Sequence, residues 1–211
     1  MPDAESPIPL ANRRYRATLI LVHTNGVSLW KDELRQHFPV LEPKFWFDNK
    51  GQRDHYTKTR TLGNSVQSLE TYLLSLPDTS STLLRVVVST YGNFSTRVVR
   101  TISTDKGKAA ERKKAAEPES DGLPEGDVAQ TEIRTEYNVL CTGFFRRVVA
   151  DEAQRLKHTK TQAHISVRDM AAPYINFLTA TPMMNKPADL EGLPALIWKE
   201  TLRRFWSTLR G

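Results

Sequence analysis

Asp151 and Glu152 stand side by side at the end of an apolar run, Phe145-Arg-Arg-Val-Val-Ala150, and lead into Ala153-Gln154. A short continuous apolar run reads as a buried strand, and such strands usually finish in turn residues rather than in a bare acidic pair. At the carboxyl edge of a parallel sheet, where open α/β sheets bind ligands, a pair of this kind has chemistry available to it. One carboxylate can hold a hydrated Mg²⁺, a hard ion that takes oxygen ligands. Its neighbour can orient an attacking water in phosphoryl transfer. Taken alone, the pair reads better as a strand end capped by solvated acids.

A second run, Tyr174-Ile-Asn-Phe-Leu178, ends in Thr179-Ala-Thr181-Pro182, which places hydroxyls at the same edge. Upstream, Ala17-Thr-Leu-Ile-Leu-Val-His-Thr24 leads to Trp30-Lys-Asp-Glu33, and Val86-Val-Val-Ser-Thr90-Tyr91 is another apolar run closed by a hydroxyl. In this order, over residues 17–198, the four segments resemble the N-terminal ATPase lobe of the Swi/Snf-type (sucrose-nonfermenting) helicase-like proteins of superfamily two. In that family an Asp-Glu-Ala-His box and a Thr-Gly-Thr-Pro box are separated by a similar length of chain. The resemblance implies an α/β fold, a RecA-like, mostly parallel sheet flanked by helices. It implies that Asp151 holds Mg²⁺ through water and that Glu152 is the catalytic residue positioning the attacking water. Gln154, Thr179 and Thr181 would couple nucleotide state to nucleic acid and to a second lobe, and Thr24 and Thr90 lie where the family meets the nucleic-acid backbone. ATP with Mg²⁺, a sequence-independent double-stranded DNA partner and nuclear residence are implied in the same way.

The chain departs from the family pattern at several points. Gln154 replaces the final His of the acidic box, and an amide can hydrogen-bond but cannot titrate. Ala180 stands where Gly is usual, which would strain a turn that needs positive φ. Met184 replaces a frequent Gln although Asn185 matches, and His23 stands where Pro is frequent. Nowhere does the sequence read G-x-x-x-x-G-K-[ST], the loop that cradles phosphates; Gly107-Lys108 lies in a polar stretch with no strand before it. In the family that loop precedes the strand matched by 17–23, and the second lobe with its arginine finger follows the Thr-Gly-Thr-Pro box. The expectation is an incomplete lobe, truncated or degenerate, that alone does not turn over ATP; whether it is an enzyme stays open. By the same analogy the strand feeding the loop is expected between those ending at Asp151 and Thr179, so that its loss would expose two unpaired edges. The alternative is a non-enzymatic module that binds nucleic acid or a protein partner. A third option, an unrelated α/β enzyme with a carboxylate-bound metal, would need further acids at the sheet edge.

Strands are expected at 17–23, 44–47, 84–90, 145–150 and 174–179, mostly continuous apolar runs of the kind covered on both faces. Between them, Ser28 is a plausible N-cap for a helix that places Trp30 and Leu34 on one face and closes at Pro39. Val66, Leu69, Leu73 and Leu76 form one stripe over 64–76. This organisation gives an irregular leader (1–16), the first part of the lobe (17–102), a charged disordered insertion (103–132), the second part with both boxes (133–186) and a C-terminal helical segment (187–211). Leu190, Leu193, Ile197, Trp198, Leu202, Phe205, Trp206 and Leu209 load that last segment heavily, for packing on the sheet or against a protein partner.

Composition narrows the class. At 211 residues with 39% hydrophobic content, the chain can bury a core. No apolar run reaches the roughly 18 residues that span a bilayer, and no secretory signal is read at Met1-Pro-Asp-Ala-Glu-Ser-Pro, so membrane roles are not expected. Cys141 is the single cysteine, which excludes an intrachain disulfide and suits a reducing intracellular compartment. His158 and His164 are six apart with no Cys or acidic partner at metal spacing, so zinc is not expected. Net charge is +6; residues 103–136 hold six Lys/Arg against nine Asp/Glu, leaving +9 on the remainder. A basic body suits a polyanion, although a solvated basic surface explains it equally well. Arg13, Arg14, Arg16, Lys157 and Lys160 could meet phosphates, with solvated charge the simpler reading for each.

Overall fold

Four of the five residues in Thr18-Leu-Ile-Leu-Val22 are buried, because this strand, β1 (Thr18–Val22), is covered on both faces. Leu19 and Leu21 join one core with Val87, Val148 and Ala150, while Ile20 and Val22 join another with Phe45, Val86 and Val88. Side chains of a strand alternate between faces, so a run apolar at every position requires two cores. The computed structural model describes residues 12–47, 55–102, 136–181 and 192–197.

Within them, β1 is followed by α1 (Val27–His37), β2 (Glu42–Phe45), α2 (His55–Lys58), α3 (Val66–Ser75), β3 (Arg85–Thr90) and α4 (Tyr91–Val98). Then come β4 (Val99–Ile102), β5 (Glu136–Val139), β6 (Arg147–Asp151), α5 (Gln162–Asp169), β7 (Tyr174–Leu178) and α6 (Gly192–Ile197). The main sheet runs β2-β3-β1-β6-β7 with every pairing parallel, as the α/β reading requires. Helices α3, α4, α5 and α6 supply Leu69, Phe94, Ile165 and Leu196 to the larger core, and α1 supplies Val27 and Leu34 to the smaller. All five expected strands are present, each within two residues of its expected bounds. Among the described residues no helix is long and apolar enough to cross a membrane.

One topological expectation is overturned. No gap separates the strands ending at Asp151 and Leu178: β6 pairs β7 directly, from Arg147↔Tyr174 to Asp151↔Leu178. Among the described residues the sheet is therefore continuous, with β2 and β7 outermost, and β2 is met on its outer side by a parallel bridge from Phe45 to Thr61. Residues 103–135 lie outside the described residues, but the strands flanking them, β4 and β5, pair antiparallel from Val99↔Val139 to Ile102↔Glu136. Neither β4 nor β5 is among the five strands expected from the sequence.

Helix starts follow capping chemistry with one exception to the reading. Ser65, Thr90 and Thr161 cap α3, α4 and α5 through their hydroxyls. Ser28 does not cap α1; it is exposed inside the helix, which starts at Val27 after a 3-10 turn at Thr24–Gly26. His23 serves that turn instead, its Nδ1 accepting from the Asn25 N–H at 3.4 Å. The stripe read over 64–76 is confirmed, with Val66, Leu69, Leu73 and Leu76 all buried. At the end of α3, the Arg13 guanidinium donates to the carbonyls of Leu76 at 2.6 Å and Leu74 at 3.1 Å, a cation closing a helix C-terminus. Arg16 donates to the Gly143 carbonyl at 2.7 Å. Both arginines thus serve the fold from within the stretch read as an irregular leader. In α6, Leu193 and Leu196 are buried in the larger core, and Ile197 is exposed.

Burial also sets two titrations. Cys141 is enclosed and its thiol is pushed up to about 12, which leaves it protonated and unreactive. His164 is buried with Nδ1 2.8 Å from the Leu156 carbonyl oxygen, and desolvation pulls it below its ordinary 6.5. The unfolded chain therefore takes up this proton at a higher pH than the folded chain does. Stability from His164 is present above about pH 6.5 and is lost as pH falls from there to the lowered folded-state value. Each tenfold loss of proton affinity is worth about 1.4 kcal/mol. Urea titrations at stepped pH should show this decline, and His164→Asn, which keeps an N–H for Leu156, should flatten it; an unchanged slope in the variant would assign the decline to other groups.

Candidate functional site

Because all five strands run in one direction, their carboxyl ends share one edge, and the acidic pair and the threonines that close the apolar runs lie there. Register aligns Val22 with Thr90 and Leu21 with Ala150, and Asp151 lies opposite Leu178. Thr24 follows β1, Thr90 ends β3, Asp151 ends β6 and Thr179 follows β7.

Asp151 is half-buried and held from three directions. Its Oδ2 accepts the Trp30 indole N–H at 2.7 Å, and its Oδ1 accepts the Glu152 backbone N–H at 3.1 Å. The Tyr91 hydroxyl donates to its main-chain carbonyl at 2.7 Å. Burial first, then the Asp151 charge, raises the Tyr91 hydroxyl's pKa, so it stays a donor at any physiological pH.

Glu152 turns the chain out of the strand in the left-handed region, at φ 51° and ψ 51°. A non-glycine residue there costs roughly 1–2 kcal/mol. The turn sends the backbone into a 3-10 turn, Ala153–Leu156, whose Ala153 and Leu156 are buried, and leaves the Glu152 carboxylate exposed. There Glu152 Oε2 accepts from Gln154 Nε2 at 2.6 Å, and Gln154 Oε1 in turn accepts the Thr179 hydroxyl at 2.7 Å. The Thr181 N–H donates to Thr179 Oγ1 at 3.2 Å. Glu152, Gln154, Thr179 and Thr181 therefore form one hydrogen-bonded chain that crosses from the end of β6 to the end of β7. The amide of Gln154, which does not itself titrate, serves it as donor on one side and acceptor on the other.

Thr24 and Thr90 share the edge but are not part of that chain. Thr24 is exposed at the start of its 3-10 turn, while Thr90 is nearly buried and its Oγ1 accepts the Asn93 N–H at 3.2 Å as a helix cap. Ala180 does not sit at positive φ, so its substitution for Gly brings none of the strain expected of it. Pro182, Met184 and Asn185 lie outside the described residues. Trp30 and Tyr91 were quoted from their motifs without a role. Their contacts reach across 121 and 60 residues, and no local spacing encodes them.

Among the described residues, the donor set supplies one carboxylate of an implied Mg²⁺ site and nothing that would cradle the phosphates of ATP. A hydrated Mg²⁺ takes one or two carboxylates together with phosphate oxygens. Asp151 offers such a carboxylate, with one hydrogen bond on each oxygen and lone pairs remaining. Among the described residues no group of three His, Cys, Asp or Glu side chains gathers to hold a metal alone. The phosphates of ATP find no counterpart in the sequence, which holds no G-x-x-x-x-G-K-[ST] loop.

None of the curated proteins compared with the chain matches it. Similar solved structures include the Sulfolobus solfataricus SWI2/SNF2 ATPase core in complex with dsDNA, at 16% identity and a TM-score of 0.41, over 86% of this chain and 24% of that one. The chain thus spans about a quarter of that protein's length. A family profile, that of the SNF2-related domain, matches residues 8–208, and since this takes in all of the sheet and the whole acidic edge, the chain belongs to the SNF2-related family.

Proposed function

We propose that this chain is the metal-holding and nucleic-acid-facing part of an N-terminal Swi/Snf-type ATPase lobe, and that as a polypeptide on its own it does not turn over ATP. The observation that carries the first half is the bridge through Gln154, which ties the acidic box to the Thr-Ala-Thr box by side-chain hydrogen bonds at 2.6 and 2.7 Å. A solvated acidic strand end has no need of such a connection. In this reading Asp151 holds Mg²⁺ through water, Glu152 is the water-positioning base, and Gln154, Thr179 and Thr181 carry the coupling. Thr24 and Thr90 lie at the edge that meets a double-stranded DNA backbone, Thr24 exposed and Thr90 largely enclosed as the cap of α4, a reading supported by the +9 charge outside residues 103–136 and by the family's chemistry. Work on chromatin in the nucleus belongs to the same reading. The second half rests on the sequence, which holds no G-x-x-x-x-G-K-[ST] segment.

A phosphate-release assay with Mg²⁺-ATP and duplex DNA should therefore give no signal above background for the 211-residue chain. DNA-stimulated turnover that vanishes in Glu152→Gln would show that this chain is an ATPase after all. The absent loop also favours a second reading, a non-enzymatic module that binds nucleic acid or a protein. Calorimetry separates the two: weak Mg²⁺-dependent ATP binding that is lost in Asp151→Ala supports the lobe, and no binding by the folded chain leaves the module.

A further inference from the structure

The Asp151 carboxylate is fixed by a donor from a different element, and that donor is neutral. We propose that Trp30 is a positioning residue for Asp151, its indole N–H holding Oδ2 so that the carboxylate meets a hydrated divalent cation in a single orientation. This rests on the metal-holding reading of Asp151 given above.

Trp30 lies on α1, one turn after Gly26, and is half-buried beside the smaller core. Its Nε1 stands 2.7 Å from Oδ2, a short distance for a neutral donor on an ionised acceptor. Gly26 belongs to the same wall: a Cβ there would lie 3.8 Å from Oδ2 and 4.0 Å from the Trp30 ring. The Tyr91 hydroxyl holds the Asp151 main chain from α4, so the side chain and the backbone of Asp151 are fixed by separate helices.

The type of donor matters. An indole can donate but cannot accept or carry charge. An Arg or Lys at the same distance would orient the carboxylate and also neutralise it, competing with any cation. Trp30 orients it and leaves its charge whole. Each oxygen then carries one protein hydrogen bond and keeps a lone pair for a water of the ion's hydration shell. Without the indole, the carboxylate can rotate about its own side-chain bonds, and the rotational freedom lost on binding a cation lowers the affinity.

The test uses the whole 211-residue chain and proton–nitrogen correlation spectra of its four Trp indoles. The Trp30 resonance is identified as the one missing in Trp30→Phe, which keeps a ring against the core and removes only the donor. In the wild type it should lie downfield and move upfield in Asp151→Asn. Mn²⁺, added in place of Mg²⁺, should broaden it before the other three, and not in Asp151→Asn. In Trp30→Phe, Mn²⁺ affinity measured by its paramagnetic effect on water relaxation should fall about five- to tenfold while the other indole signals stay in place. A Trp30 resonance indifferent to Asp151→Asn would overturn the proposal, as would Trp30→Phe with wild-type Mn²⁺ affinity. If the resonance follows Asp151 but no variant binds Mn²⁺, what fails is the metal reading of Asp151 itself; the hydrogen bond then stands, and its assigned purpose goes with that reading.

Discussion

Replacing Trp46 with alanine should lower the free energy of unfolding by about 3–5 kcal/mol, the range for emptying a large aromatic site. Trp46 has no exposed surface and is the largest enclosed side chain among the described residues. Its ring meets Phe94 edge to face at 5.8 Å, and the Arg97 guanidinium lies 5.5 Å from it. The indole N–H donates to the Gly63 carbonyl at 2.9 Å, so truncation also strands a polar group. Trp46→Phe keeps a ring in the site, loses that bond and leaves a smaller void, and should cost about 1–2 kcal/mol. A domain has about 5–15 kcal/mol in total, so the alanine variant approaches the limit of folding. Urea unfolding should show a lower midpoint at an unchanged slope. A loss below about 1 kcal/mol would mean that the site collapses around the cavity. The residue also bears on the edge described above, because its carbonyl accepts from Ser89 Oγ at 2.5 Å and Asn93 Nδ2 at 2.8 Å, on either side of Thr90.

What was legible beforehand follows from range in sequence. Strands β1 and β3 announced themselves because burial on both faces leaves an unbroken apolar run, Leu19–Val22 in one and Val86–Val88 in the other. The stripe of α3 was legible because its period is local. Helix α4 was not: Gly92, Asn93, Ser95 and Thr96 are poor helix formers, and the helix exists because Thr90 caps it and Phe94 and Val98 are buried. The β4–β5 pair joins segments on either side of residues 103–135, beyond the reach of any window. The missing-strand expectation failed for a related reason, since neighbour relations in a sheet are set by crossover topology and not by the order of motifs. At the site, the residue types at the strand ends could be read directly, as an acidic pair and hydroxyls closing apolar runs. Their connections could not. Gln154 looked like a weakened His and is a two-sided bridge, and Trp30 and Tyr91 acquire their meaning only when α1 and α4 are laid beside the end of β6.

Gly192→Ala should undock α6, at a cost of about 3–6 kcal/mol bounded by what that docking contributes. A Cβ at position 192 would overlap the Lys157 carbonyl group and stand 2.7 Å from the Leu156 carbonyl oxygen. Neither neighbour is the free end of a side chain that can swing away. Leu156 closes the 3-10 turn begun by the left-handed Glu152, and its carbonyl is already engaged by His164 at 2.8 Å. The helix must therefore move, and with it Leu193 and Leu196, whose burial is worth about 1.5–3 kcal/mol each. Because α6 is short and peripheral to the sheet, the loss should be local, with the sheet still folded. Amide exchange should accelerate in α6 and at Leu156–Lys157 while β1, β3 and β6 stay protected. Leu196→Ala serves as the comparison, since it empties the same contact through a cavity and leaves the backbone approach intact. If Gly192→Ala exchanges like the wild type, the turn that carries Gln154 yields to α6, and the bridge between the two boxes rests on a softer support than the close approach of these backbones implies.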